Sequence, residues 1–343
     1  MRALGYIKSI VLTAIVAIAG SCSVHEWPHL DYGEVEFILD LDYEMSMPLY
    51  KEITYTRGAN ISREQPDNCD IRYIVEVYPS GESRTASRDA ARNYIFTRSY
   101  DGVLDTSVSI DLEEGSWDIY VWTDYVDRNS TSDKYYRTAD FAAITYLDKD
   151  GYVGSDDCRE AFKGMTTVTV THPNRYLEGE TLPSYRATVE MGRPMGRYEF
   201  ISTDVDAFLQ RMETTLARSV DLSEFRVVFR YNAFMPSTYN IFTDKPSDSW
   251  TGMSFTSPMA LGDDGMLMGF DYVLVNGDET VMNINVEVYD SKGTLLSATR
   301  GVEVPVMRNR LTIVKGAFLT SAASGGVAIN PGFDGDDYNI EIY

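Results

Sequence analysis

The stretch "VSIDLEEGSWDIYVWTDY", residues 108–125, decides the fold class. Val108, Ile110 and Leu112 alternate with polar neighbours, and Trp117, Ile119 and Val121 alternate again after Glu113-Glu114-Gly115. A period of two puts successive side chains on opposite faces of an extended strand, so each run is a strand with one apolar face. An acidic pair followed by glycine, which has the backbone freedom that a tight turn needs, predicts that the two strands form a β-hairpin.

The same period runs outward in both directions. "EVEFILDLDY" (34–43), "IRYIVEVY" (71–78) and "TTVTVTH" (166–172) are strands on this criterion. The segment 172–186, mostly "PNRYLEGETLPSYR", is polar with two prolines and a glycine, and is expected to be a linker. Beyond it "ATVEMGRPMGRYEFIST" (187–203) alternates with a break at Arg193-Pro194. One helix is expected next, with Thr203 as N-cap, Asp206 three residues on, and Val205, Phe208, Leu209, Met212 and Leu216 on one face. Strands resume with "EFRVVFRY" (224–231), "GFDYVLVN" (269–276), "VMNINVEVYD" (281–290), "GVEVPVMRNRLTIVKGAFL" (301–319) and the terminal "YNIEIY". Many short alternating strands with one short amphipathic helix predict an all-β chain of two tandem β-sandwich domains, residues 33–186 and 187–343.

The N-terminus carries a different signal. Arg2 and Lys8 precede an uncharged apolar run, Ile10 to Ala19, and small residues lead to Cys22. That is the layout of a secretory signal peptide, residues 1–21, and the run is too short to span a membrane comfortably. Residues 22–32 then form a tether. Inside it, His25-Glu26-Trp27-Pro28-His29 matches the H-E-x-x-H pattern of zinc proteases. Two imidazoles four residues apart share an ion only on a helix, and Pro28 lacks an N–H and pushes Trp27 out of helical geometry. His172 is the only other histidine and is also followed by proline, so no metal site is expected.

With a formal net charge of −22, the chain repels nucleic-acid phosphates and anionic membrane surfaces. Loss of residues 1–21 would remove two cations and no acid. Beyond Cys22 only Cys69 and Cys158 remain, either bridged or as separate thiols. "DKDGYVGSDD" (148–157) offers Asp148 and Asp150 as calcium ligands, but Tyr152 and Val153 stand where an EF-hand loop needs an oxygen ligand and a glycine. It is expected to be an acidic turn, as is "DGDDY" (334–338). No G-x-S-x-G and no phosphate-cradling glycine loop occurs, so neither a catalytic residue nor a cofactor is expected. Tyr120, Trp122 and Tyr125 share one strand; they are either sugar-stacking rings or, more simply, a core face with tyrosines decorating the other.

Taken in order, "AGSC" (19–22), "SVHEWP", "GSWDIYVWTDY", "REAFKG", "GRPMGRYEFISTD", "VPVMRNRLTIVKGAFLT" and "GGVAINPGFDGD" resemble the fimbrillin-like lipoproteins of Bacteroidales over nearly the whole mature chain. The family comprises major and minor fimbrial subunits with their anchor and accessory relatives. The resemblance implies two transthyretin-like Greek-key sandwiches, acylation of Cys22 and lipid-anchored display on the outer membrane. Ala19 stands where the lipobox prefers leucine. Implied partners are other fimbrial subunits or host and bacterial surface ligands. Polymerising members exchange strands after trimming behind an arginine, for which Arg57 and Arg63 are the candidates here, and the segment from Val327 to Tyr343 either pairs at home or is donated. The alternative is a glycan-binding surface lipoprotein with Trp122 and Trp250 as platforms. A hydrolase would need two acids facing each other across a pocket.

Overall fold

Strand β1, Val35–Tyr43, buries Phe37, Leu39 and Leu41 on one face, as its alternation requires. In the computed structural model, which describes residues 35–54, 69–81, 86–99, 107–171, 185–216, 219–262 and 265–321, β1 is the middle of a three-stranded sheet. It runs parallel to β10 (Tyr185–Met191) and antiparallel to β5 (Ser107–Leu112). Against it packs a four-stranded antiparallel sheet in the order β4 (Arg92–Ser99), β3 (Cys69–Pro79), β6 (Gly115–Asp127), β9 (Ala161–Val170). Leu39, Val108 and Ile110 from one sheet meet Tyr73, Val75, Ile119 and Val121 from the other in a single core. Cys69 and Cys158 are joined by a disulfide across that core's end.

The strands of residues 108–125 form as expected, but not the hairpin. β5 and β6 belong to opposite sheets, and the turn at Gly115, with φ 150°, carries the chain across the core. Alternation states which face of a strand is buried; it is equally satisfied when two strands lie side by side or face to face.

A second pair of sheets follows. The five-stranded one is ordered β16 (Ala260–Gly262), β17 (Gly265–Leu274), β11 (Met195–Ser202), β20 (Leu311–Gly316), β2 (Leu49–Thr54). The four-stranded one is ordered β15 (Ser254–Ser257), β12 (Phe225–Tyr231), β18 (Glu279–Asp290), β19 (Leu295–Met307). Phe200 of β11 and Phe229 of β12 meet edge to face at 5.5 Å between them. Helix α1 (Val205–Leu216) buries Val205, Phe208 and Met212, with Phe208 against Phe225 at 5.2 Å, while Leu216 is exposed. The first helical bond, Phe208 N–H to the Asp204 carbonyl, puts the N-cap at Asp204, one residue after the expected Thr203. No helix among the described residues is long and apolar enough to cross a membrane.

Pairing divides the chain differently from a cut at 186/187. β10 starts at Tyr185 and belongs with β1, so the sheets change hands at Gly192-Arg193-Pro194. β2, far upstream, lies in the second pair of sheets, parallel to β20. A fifth sheet, β14 (Lys245–Trp250), β13 (Met235–Asn240), β8 (Ile144–Tyr146), β7 (Tyr136–Arg137), ties the two halves together through the β8–β13 contact.

Candidate functional site

The aromatic face of β6 is not a surface. Ile119, Val121 and Tyr125 belong to the first core, while Tyr120 and Trp122 on the other face belong to the second. Trp122 is 0% exposed, edge-on to Tyr136 at 5.6 Å, and Trp250 is partly buried against Tyr146. Neither Trp122 nor its tyrosine neighbours is free to stack on a sugar ring. The expectation of tyrosines decorating an outer face fails too. Residues 128–160, together with β13, cover that face, which no local pattern in β6 could announce.

What those residues bring is a buried polar network joining the halves. Arg159 lies 3.4 Å from Asp271, and both are buried. Asp271 Oδ2 accepts hydrogen bonds from Tyr152 (2.7 Å) and Tyr231 (2.5 Å), and Arg159 Nη2 donates to the Tyr152 hydroxyl at 2.6 Å. Burial pushes the Asp271 carboxyl upward, against the pull of Arg159 and the two phenols. Burial likewise drives the Tyr152, Tyr198 and Tyr231 hydroxyls well above their ordinary value, so they stay neutral donors. A second network places Arg197 on Asp157 and on Glu199 (2.7 Å). Arg159 lies in "REAFKG", just ahead of β9, and Arg197 in "GRPMGRYEFISTD", within β11. For Arg197 the signal that could have found it is an arginine inside an otherwise apolar strand, and for Arg159 no local pattern marks it.

A third buried arginine builds the floor of a cleft at the junction. Arg193 donates to Glu160 (2.6 Å), to the carbonyls of Glu44, Met45 and Ser46, and to Asn309 Oδ1 (2.6 Å). It thereby staples the link between β1 and β2 to the turn between β19 and β20. Beside it β9 and β10 meet through paired backbone bonds between Lys163 and Gly192 (2.9 and 3.0 Å). That approach needs Gly164, where a Cβ would lie 2.6 Å from the Glu190 carbonyl. The cleft encloses about 630 Å³. Asp42, Glu44 and Glu190 line it as acids, and Lys163, Arg308 and Arg310 as cations. The carboxyls that burial pushes upward, on Glu76, Asp124 and Asp271, line none of it.

The remaining expected sites divide by location. Asp148 accepts from the Asp150 N–H at 2.9 Å, an acidic turn, while Tyr152 enters the core. Among the described residues no group of three or more His, Cys, Asp or Glu is placed to hold a metal. Cys22, the signal peptide and tether, His25, Glu26, His29, Arg57, Arg63, His172 and the segment 327–343 lie outside the described residues.

The chain matches, over residues 32–343, the model of a family of unknown function, DUF6562, and belongs to that family. No curated protein matches it. Several solved structures are similar. A candidate adhesin from Bacteroides ovatus is 12% identical, with 85% of this chain and 94% of that one covered at a TM-score of 0.42. A candidate cell adhesion protein from Bacteroides eggerthii is 11% identical, covering 90% and 92% at 0.42. The fimbrial anchor protein Mfa2 from Porphyromonas gingivalis is 10% identical, covering 78% and 82% at 0.37. Likeness at that level leaves the activity to be argued from this chain's own residues.

Proposed function

We propose that this member of the DUF6562 family is a non-enzymatic cell-surface lipoprotein of the fimbrillin-like type, held by acyl chains on Cys22. It acts as a structural, adhesive or accessory subunit of a pilus through its sheet edges. One observation carries the reading: β1 and β2 both precede Arg57, and each fills a sheet position in a different half. Trimming behind Arg57 removes both strands at once. The first half then has an open slot between β10 and β5, and β20 loses its neighbour on one side. Such a slot presents unpaired backbone N–H and C=O groups together with an apolar trough, the two things a donated strand satisfies.

The energetics hold the untrimmed chain closed. Expelling β1 would expose Phe37, Leu39 and Leu41, now 3%, 0% and 2% exposed, at about 1.5–3 kcal/mol each. Assembly therefore waits on cleavage. The test is electron microscopy of cells overexpressing the chain, with and without an arginine-specific protease, alongside Arg57→Gln. Filaments that form equally without cleavage would defeat strand exchange. Separately, the intact mass of the membrane-extracted protein reports the anchor. An unmodified Cys22, or a mature end elsewhere, would defeat the lipoprotein assignment. The glycan alternative in its aromatic-platform form loses its main residue, because Trp122 is in the core.

A further inference from the structure

Two threads of chain run side by side through both halves. β1 and β10 are parallel and end together, Tyr43 opposite Met191, with the Glu44 N–H on the Met191 carbonyl at 3.1 Å. Both then enter the second half, β1 through residues 44–48 into β2, and β10 through Gly192-Arg193-Pro194 into β11. There β2, β11 and β20 are parallel and start together. The Arg197 N–H donates to the Arg310 carbonyl and the Leu311 N–H to the Pro48 carbonyl, each at 3.0 Å. The strands of the first half therefore run into the junction, and those of the second run away from it. At a strand's rise of about 3.3 Å per residue, β1 carries Val35 about 25–30 Å to one side of the junction, and β20 carries Gly316 about 15–20 Å to the other.

A pull on the two ends of the chain thus acts along the strands. In the first half β1 is drawn at its N-terminal end and β10 at its C-terminal end, through β11. In the second half β11 is drawn at its N-terminal end, through β10, and β20 at its C-terminal end. Parallel neighbours drawn in opposite directions part only by sliding, which strains the whole ladder at once: seven register pairs between β1 and β10, six between β11 and β20. Between the ladders the load crosses covalent bonds, Gly192 to Pro194. Burial opposes the sliding. Phe37, Leu39 and Leu41 of β1 lie in the first core, and β11 is buried along its whole length. A reserve stands behind the first ladder. Arg193 holds the carbonyls of Glu44, Met45 and Ser46, and β2, beyond them, forms five further parallel pairs with β20 that load in the same sense.

We propose that the untrimmed protein is a tension-bearing link, its load path running through β1, β10, β11 and β20 with both ladders in shear. The proposal rests on the surface-lipoprotein reading only for what pulls: the membrane at the N-terminal end, and a partner held beyond β20 at the other. The load path itself is a property of strand direction and register.

The experiment is single-molecule force spectroscopy of the full mature chain with two attachments. One places handles on the N- and C-termini. The other places them on residues 279 and 307, which face each other at the open end of the β18–β19 hairpin, so that a pull there unzips an antiparallel pair one position at a time. Forced unfolding reports the barrier along the direction pulled, so one fold gives different forces for the two attachments. The terminal attachment is expected to hold both ladders until an abrupt rupture, at a force several-fold above that which opens the hairpin. Equal forces for the two attachments, or gradual extension of β1 from the N-terminal end at forces no higher than unzipping, would overturn the proposal. Acylation plays no part in this measurement. A negative result here leaves the lipoprotein reading standing, and an unmodified Cys22 leaves the load path standing.

Discussion

Arg159, from the segment leading into β9, stands 3.4 Å from Asp271 of β17, with side-chain exposures of 2% and 0%. The pair makes the two halves one packed body, because the chain between β6 and β9 cannot leave β17 without stranding a charge in the core. A buried ion pair contributes little net stability by itself, since desolvation offsets most of the attraction, but removing one partner is severe. Asp271→Asn is expected to lower unfolding stability by about 3–5 kcal/mol, whereas the double variant Arg159→Met, Asp271→Leu should lose markedly less. Urea unfolding of the three proteins checks this; equal losses in single and double variants would show that the pair is not coupled.

The disulfide ties β3 to residue 158, 89 positions later. In the chain-entropy account, closing a loop of about 90 residues contributes about 4–5 kcal/mol by restricting the unfolded chain. Reduction, or Cys158→Ser, should lower the urea midpoint accordingly, with the first core opening before the second. An unchanged midpoint after complete reduction would show that the bridge does not form.

Asp244 gives the acid response a definite sign. Burial would raise its carboxyl, but hydrogen bonds from Lys163 and Tyr239 and the charges of Lys163 and Arg308 outweigh that and hold it below its ordinary 3.8. A carboxyl lowered on folding adds stability above the unfolded value, and that stability is lost as pH falls through the folded value. Asp244→Asn should therefore lower the melting temperature at pH 6, and the gap should close below about pH 4. A gap constant across that range would refute the assignment.

Trp122 separates core from surface on the sheet that holds β3 and β6. Trp122→Ala is expected to cost about 3–5 kcal/mol, as for other fully buried aromatics. Ile95→Thr, on edge strand β4 where Ile95 is 54% exposed, should stay within about 0.5 kcal/mol. Chemical denaturation distinguishes them, and similar values would mean that the β6 face is not packed as described.

Most strands were legible because their alternation is local. Residues 34–43, 71–78, 224–231 and 281–290 each lie within or beside a strand of the fold. β2, β4 and the short strands of residues 235–262 were not singled out. β4 alternates only weakly between half-buried and exposed positions, and β13 is buried along nearly its whole length. The junction cleft was invisible for a different reason. Its residues come from positions 42–44, 163, 190–193 and 308–310, and no spacing within one segment connects them.

By itself the sequence determined which residues are extended, which face of each strand is apolar, and where the helix lies, because sterics and side-chain period act over a few residues. Only the tertiary structure decided that β5 crosses to the opposite sheet from β6, that β2 joins the second half, that Cys69 meets Cys158, and that the tyrosine face of β6 is covered. Each of those depends on segments tens to hundreds of positions apart competing to cover the same apolar surface. That competition is settled by packing the whole chain, not by the pattern within any one strand.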